Sequence, residues 1–133
     1  MILVDSNVLL DIFTQDPVWF DWSSETLAQQ AEARILAINP MIFAEISVHF
    51  SKIEELDYAL PEKDFRRLAL PWEAAFLAGR CFLQYKQKGG QRRSPLPDFY
   101  IGAHAAISQL TLLTRDEQRY RTYFPKLRLI CPS

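Results

Sequence analysis

Apolar positions along this chain follow two different rhythms. Four short runs are nearly unbroken: ILVD at 2–5, RILAI at 34–38, TLLT at 111–114 and LRLIC at 127–131. An unbroken run suits a strand of a parallel sheet covered on both faces. Between the runs, apolar residues recur every three or four positions, the spacing of a helix with one buried side. Ser6 and Asn7 are capping types, so VLLDIF is predicted as a short helix. Residues 23–33 form a second helix. Pro40 opens a third, running to about Leu56 with Ile42, Phe43, Ile46, Phe50 and Ile53 along its stripe. Pro61 starts a short helix through Phe65 and Leu68. Pro71 starts a long one with Trp72, Ala75, Phe76, Gly79, Phe82 and Leu83 on one side, ended by Gly89 and Gly90. QRRSPLP reads as a loop. Pro97 and Asp98 then open a helix rich in small residues, and 117–123 forms a last short one.

Strands that alternate with helices, without hairpin signals, predict an α/β sandwich around a parallel sheet. No repeat or linker interrupts the pattern, so one domain over residues 1–133 is expected.

Composition narrows the picture. Of 133 residues, 49% are hydrophobic and 23% charged, a globular balance rather than a disordered one. No apolar run is long enough for a bilayer, and the opening residues lack the charged and apolar regions of a signal peptide, so a cytoplasmic protein without membrane partners is expected. Cys81 and Cys131 lack the spacing of a zinc or CxxC site. A net charge of −1 excludes a polycation built for nucleic acid, but the charges are unevenly placed. Residues 1–33 hold six acids and no Lys or Arg; residues 80–93 hold five bases and no acid. That asymmetry permits a basic partner at one end and a phosphate backbone at the other.

The candidate chemistry lies in four acids. In open parallel sheets, sites form beyond the carboxyl ends of strands. ILVD delivers Asp5 to such an end, and TLLTRD delivers Asp116 to the same edge. Asp98 stands in the first turn of a helix, where free amides favour a carboxylate. Glu45 sits within the apolar stretch MIFAEIS, where a carboxylate is expensive unless paired. Lys and Arg are scarce around it in sequence, so a cation is the natural compensation. Taken singly, Asp5, Asp98 and Asp116 are each explained as helix caps and Glu45 as a surface residue. Taken together, four converging carboxylates point to Mg2+ or Mn2+ and to in-line attack on a phosphodiester.

VDSN, then AE in a helix about forty residues on, then PDFYIGAHA, then LLTRD: this set resembles a PIN domain, and more narrowly the VapC-type toxins of bacterial toxin–antitoxin pairs. The resemblance covers essentially the whole chain. It implies a three-layer α/β/α sandwich with a central twisted, mostly parallel sheet. It implies an endoribonuclease dependent on Mg2+ or Mn2+, with Asp5, Glu45, Asp98 and Asp116 as catalytic, metal-holding acids. It gives Ser6, Asn7 and Thr114 supporting roles, hydrogen-bonding the carboxylates and the attacking water. It further implies structured RNA such as tRNA or rRNA as substrate, a homodimer, and a cognate antitoxin whose tail covers the site.

Arg92, Arg93 and Arg115 are candidate RNA contacts through phosphate. His49, one turn after Glu45, and His104 are weaker candidates for a general base, since packing histidines are commoner. Trp19, Phe20 and Trp22 form an aromatic cluster that suits either the core or an antitoxin groove. Neither a GxGxxG nor a P-loop nor a GxSxG occurs, which removes dinucleotide, NTP and serine-hydrolase readings. The alternative functions are a non-catalytic PIN-like module that binds RNA or a partner and, more weakly, a structure-specific DNA nuclease.

Overall fold

The computed structural model describes residues 1–90 and 96–133. Among them five strands form one all-parallel sheet: β1 (Ile2–Val4), β2 (Leu36–Ile38), β3 (Phe65–Arg67), β4 (Thr111–Leu113) and β5 (Leu129–Ile130). Seven described helices connect and flank them: α1 (Ser6–Phe13), α2 (Phe20–Ala33), α3 (Pro40–Ser47), α4 (Ile53–Ala59), α5 (Trp72–Gln87), α6 (Leu96–Ile107) and α7 (Glu117–Tyr123). The architecture is the α/β sandwich around a parallel sheet expected from the strand and helix pattern, in the α/β/α form that the resemblance implies.

The spatial order is β3-β2-β1-β4-β5. β1 is therefore the central strand, and its Ile2, Leu3 and Val4 are wholly buried. Ile2 stands between Leu36 and Thr111, and Leu3 between Ala37 and Leu112. A strand covered on both faces needs apolar side chains at every position, hence the unbroken ILV. From β1 the chain builds outward through β2 and β3, then returns to build the other way through β4 and β5. The strand order reverses between β1 and β4, where doubly wound sheets open a crevice at their carboxyl edge. The ladder continues one residue past these strands: Asp5 N–H donates to Leu113 O at 2.9 Å, and Thr114 N–H to Ile130 O at 3.0 Å. Asp5 and Thr114 are thereby set side by side on that edge.

Three expectations differ from the structure. The helix predicted from Pro40 to about Leu56 is two helices, α3 and α4, separated at 48–52. The Ser47 hydroxyl bonds back to Ala44 O, and Glu55 caps the new helix by accepting from the Ser51 and Lys52 amides. Phe50 in the break packs edge-on against Phe13, while Ile53, predicted on the buried stripe, is 62% exposed. The segment from Pro61 turns once, with Asp64 and Phe65 amides bonding Pro61 O, and then becomes the strand β3 rather than a helix. An edge strand has one exposed flank, so Arg66 and Arg67 stand exposed where a central strand would bury them. The side of α5 predicted to be buried is partly its outer one: Trp72 and Phe76 are exposed, and Ala74, Ala78 and Cys81 face inward.

The small residues of α6 permit close approach. A Cβ on Gly102 would lie 2.4 Å from Cε2 of Phe124, so α6 and the segment after α7 meet only because Gly102 has none. That contact holds the first turn of α6, with Asp98, beside α7.

Candidate active site

The carboxyl edge of β1 and β4 carries a continuous hydrogen-bonded group centred on Asp5. This residue ends β1 in extended conformation and caps α1, its Oδ1 accepting from Ser6 N–H at 2.8 Å. Its Oδ2 accepts from the Thr114 hydroxyl at 2.8 Å and the Tyr120 hydroxyl at 2.9 Å. Asp5 is 2% exposed, and no cation lies among these hydrogen-bond partners. Burial therefore lifts its carboxyl far above the ordinary range. The Thr114 and Tyr120 bonds hold it back in part, and the charges of Asp98 and Glu45 add to the rise, leaving it at about 7.

Glu45, on α3, is tied to this centre by Ser6. The Ser6 hydroxyl lies 2.8 Å from Glu45 Oε1 and 3.5 Å from Asp5 Oδ1. Its single proton belongs to Glu45 at those distances. Glu45 is also raised, first by burial and then by Asp98, against the Ser6 bond and the charge of Arg119. Asp98, in the first turn of α6, is raised by burial; the charge and hydrogen bond of Arg119 oppose this, and Asp116 adds to it. Tyr120 also helps to hold Asp98 down. Asp116 starts α7, and its backbone N–H donates to the Thr114 hydroxyl at 3.1 Å. Asn7 completes the chain: its amide donates to Thr114 Oγ1 at 3.1 Å and its carbonyl accepts from Arg115 N–H at 3.4 Å.

The four acids thus come from the ends of β1 and β4 and from α3 and α6; the charges of Asp98 and Glu45 raise Asp5, that of Asp98 raises Glu45, and that of Asp116 raises Asp98. Ser6, Asn7 and Thr114 lie between them. Two participants carry no signal in the strand pattern. Tyr120 is 1% exposed and bonds Asp5. Arg119 pairs with Asp98 and, at 3.3 Å, with Asp116. The i,i+3 spacing of Asp116 and Arg119 on α7 is the one cue in sequence. The scarcity of bases around Glu45 along the chain does not hold in space, because α7 brings Arg119 near.

Asp11, which in sequence only ends the first helix, is 2% exposed and accepts from Arg115 at both oxygens, at 2.8 and 3.0 Å, and from the Ser23 hydroxyl at 2.7 Å. Arg115 also lies over the Trp19 ring at 5.5 Å. A guanidinium so engaged locks the 114–116 turn onto α1 and α2, while its side chain keeps 31% exposure. Arg92 and Arg93 lie outside the described residues. His49 is exposed on the break after α3. His104 is buried, its Nδ1 2.9 Å from the Asn39 amide, and burial lowers its pKa, the arrangement of a packing histidine. Trp19 and Trp22 meet edge-on at 6.2 Å and are partly buried.

The donor set is all oxygen, which matches hard cations such as Mg2+ and Mn2+. Three carboxyls stay raised although Arg119 stands beside two of them, so the chemistry of these residues fits a divalent ion. Among the described residues, however, no group of three or more His, Cys, Asp and Glu stands in the geometry of a formed metal site.

The PIN domain family model matches residues 2–125. Among solved structures, VapBC2 from Rickettsia felis, bound to a DNA fragment from its promoter, superposes with a TM-score of 0.73, is 21% identical, and is covered over 100% of both chains. VapBC-1 from nontypeable Haemophilus influenzae gives a TM-score of 0.72 at 16% identity over 98% of both chains. A toxin–antitoxin complex from Klebsiella pneumoniae gives 0.70 at 22% identity, over 100% of this chain and 98% of that one. No curated protein matches the chain.

Proposed function

Because the chain belongs to the PIN domain family, we propose that it is a metal-dependent endoribonuclease, the toxin of a type II toxin–antitoxin pair, which hydrolyses phosphodiesters of structured RNA such as tRNA or rRNA. The observation that carries this reading is the gathering of Asp5, Glu45 and Asp98 at one edge of the sheet, at its switch point, with Asp5 buried among neutral donors and Arg119 the cation beside the other two. Asp5, Glu45, Asp98 and Asp116 would hold Mg2+ or Mn2+. The bound ion would polarise a phosphate oxygen and supply hydroxide from water near neutral pH.

The chain's own residues prepare that edge. Thr114 and Tyr120 fix the direction of one Asp5 oxygen, and the Ser6 amide fixes the other. The Ser6 hydroxyl holds Glu45 beside Asp5. Asn7 fixes the Thr114 hydroxyl so that its proton points at Asp5. Such bonds keep carboxylates in place before any ligand arrives, which lowers the reorganisation needed at reaction. Arg92 and Arg93, a few positions before Asp98 in sequence, would contact RNA phosphates. The toxin–antitoxin complexes among the solved structures support a cognate antitoxin; the proposal further takes the chain as a single domain that acts as a homodimer in the cytoplasm. No described helix is long and apolar enough to cross a membrane.

Purified protein incubated with total cellular RNA tests the proposal. Discrete products in Mg2+ or Mn2+, absent in EDTA and absent with Asp5→Asn, are expected. The alternative, a non-catalytic PIN-like module, is favoured by one observation: Arg119 already neutralises Asp98 and Asp116. RNA that binds but stays intact under every metal would decide for that module.

A further inference from the structure

Two arginines flank Asp116 in sequence, and their surroundings differ. Arg115 is clamped on a fully buried aspartate by two hydrogen bonds. Arg119 is half exposed, and its partners Asp98 and Asp116 are 19% and 38% exposed. Its Nη1 meets Asp98 Oδ2, its Nε meets Asp116 Oδ2 at 3.3 Å, and its charge reaches Glu45 as well. Two of the four acids are therefore paired with one guanidinium and a third feels its charge, and the half-exposed side chain has solvent to swing into. A carboxylate oxygen engaged by a guanidinium is a poor ligand for a second cation, and the two positive charges repel at such range.

We propose that Arg119 is a built-in rival of the divalent ion, holding Asp98 and Asp116 until metal displaces it. The inference rests on the metal-dependent reading above. On displacement the guanidinium stays tethered to α7 at the rim of the site, where its planar fork suits a phosphate oxygen pair. The arginine thus keeps the acids neutralised when metal is scarce and adds a cation beside the ion when metal is bound.

The test is Mn2+ binding to the purified full chain, read by electron paramagnetic resonance of the free ion and by calorimetry. Four proteins are compared: wild type, Arg119→Gln, Arg119→Lys and, as a control for net charge, Lys126→Gln on the exposed surface. Arg119→Gln is expected to bind Mn2+ about tenfold more tightly, the size of a lost charged hydrogen bond. Arg119→Lys falls between, and Lys126→Gln matches wild type. Without metal, Arg119→Gln melts below wild type, and saturating Mn2+ closes the gap. Equal or weaker Mn2+ binding by Arg119→Gln, or the same gain in Lys126→Gln, overturns the rivalry and leaves the nuclease reading intact. Absence of Mn2+ binding in all four overturns both.

Discussion

Asp5 and Asp11 lie six positions apart, one capping α1 and one within it, and each is 2% exposed. Their partners are opposite in kind. Asp11 has its own cation, with Arg115 on both oxygens and Ser23 beside it. Asp5 has only neutral donors, and its charged neighbours Asp98 and Glu45 are acids. A buried carboxylate with a dedicated arginine is compensated and serves the structure. A buried carboxylate held by neutral donors among other acids is left short of positive charge, and that shortage is what a cation or a proton can answer. Burial by itself does not distinguish a structural acid from a candidate catalytic one; the sign of what surrounds it does.

The largest expected effect breaks the comparison on the functional side. Asp5→Asn lowers metal-dependent RNA cleavage by roughly a thousandfold, the scale of removing a pre-set electrostatic group. The same variant keeps or raises the melting temperature of metal-free protein near pH 7.5, because the uncompensated charge is gone. Asp11→Asn does the reverse: it leaves a guanidinium without its partner and costs about 2–3 kcal/mol in denaturant unfolding, discounted because Arg115 has some access to water. Cleavage per folded molecule changes little. Loss of stability in Asp5→Asn together with full cleavage in that variant would erase the distinction between the two acids.

Smaller effects sharpen it. Thr114→Val removes the hydroxyl that donates to Asp5 and accepts from Asn7 and Asp116. Mn2+ affinity or cleavage should fall roughly 10–100-fold, as for groups that orient metal ligands. Tyr120→Phe removes one donor from Asp5 and should push its pKa higher still, which moves the onset of cleavage to higher pH.

The smallest effect is a slope. Between pH 3.8 and about 7, folded Asp5 holds a proton that the unfolded chain has released. The folded state then binds more protons, so metal-free stability falls as pH rises through that window. Glu45 and Asp98, also raised, act in the same direction. Chemical unfolding of wild type and Asp5→Asn across pH 4 to 8 isolates the Asp5 share: the wild-type curve declines, and the variant's declines less. Parallel curves would mean that Asp5 is not uncompensated.

What the amino-acid order settled alone is what depends on near neighbours. An unbroken ILV and TLL can be buried on two faces, so β1 and β4, and the acids just beyond them, follow from local pattern. Pro40 marks the start of α3, and Gly89, at φ +81°, marks the end of α5. Tertiary structure decided the rest. FRR carries no strand alternation, and it is β3 because Leu36–Ile38 offers a free edge with which it pairs. The apolar side of α5 could not be read from spacing, because the surface of α6 selects which residues it covers. Above all, the identity of each acid's partner was out of reach: Arg115 finds Asp11 across 104 positions and Arg119 finds Asp98 across 21. Charge compensation acts through space, over a few ångströms, and the chain brings those residues together only when the sheet closes around β1.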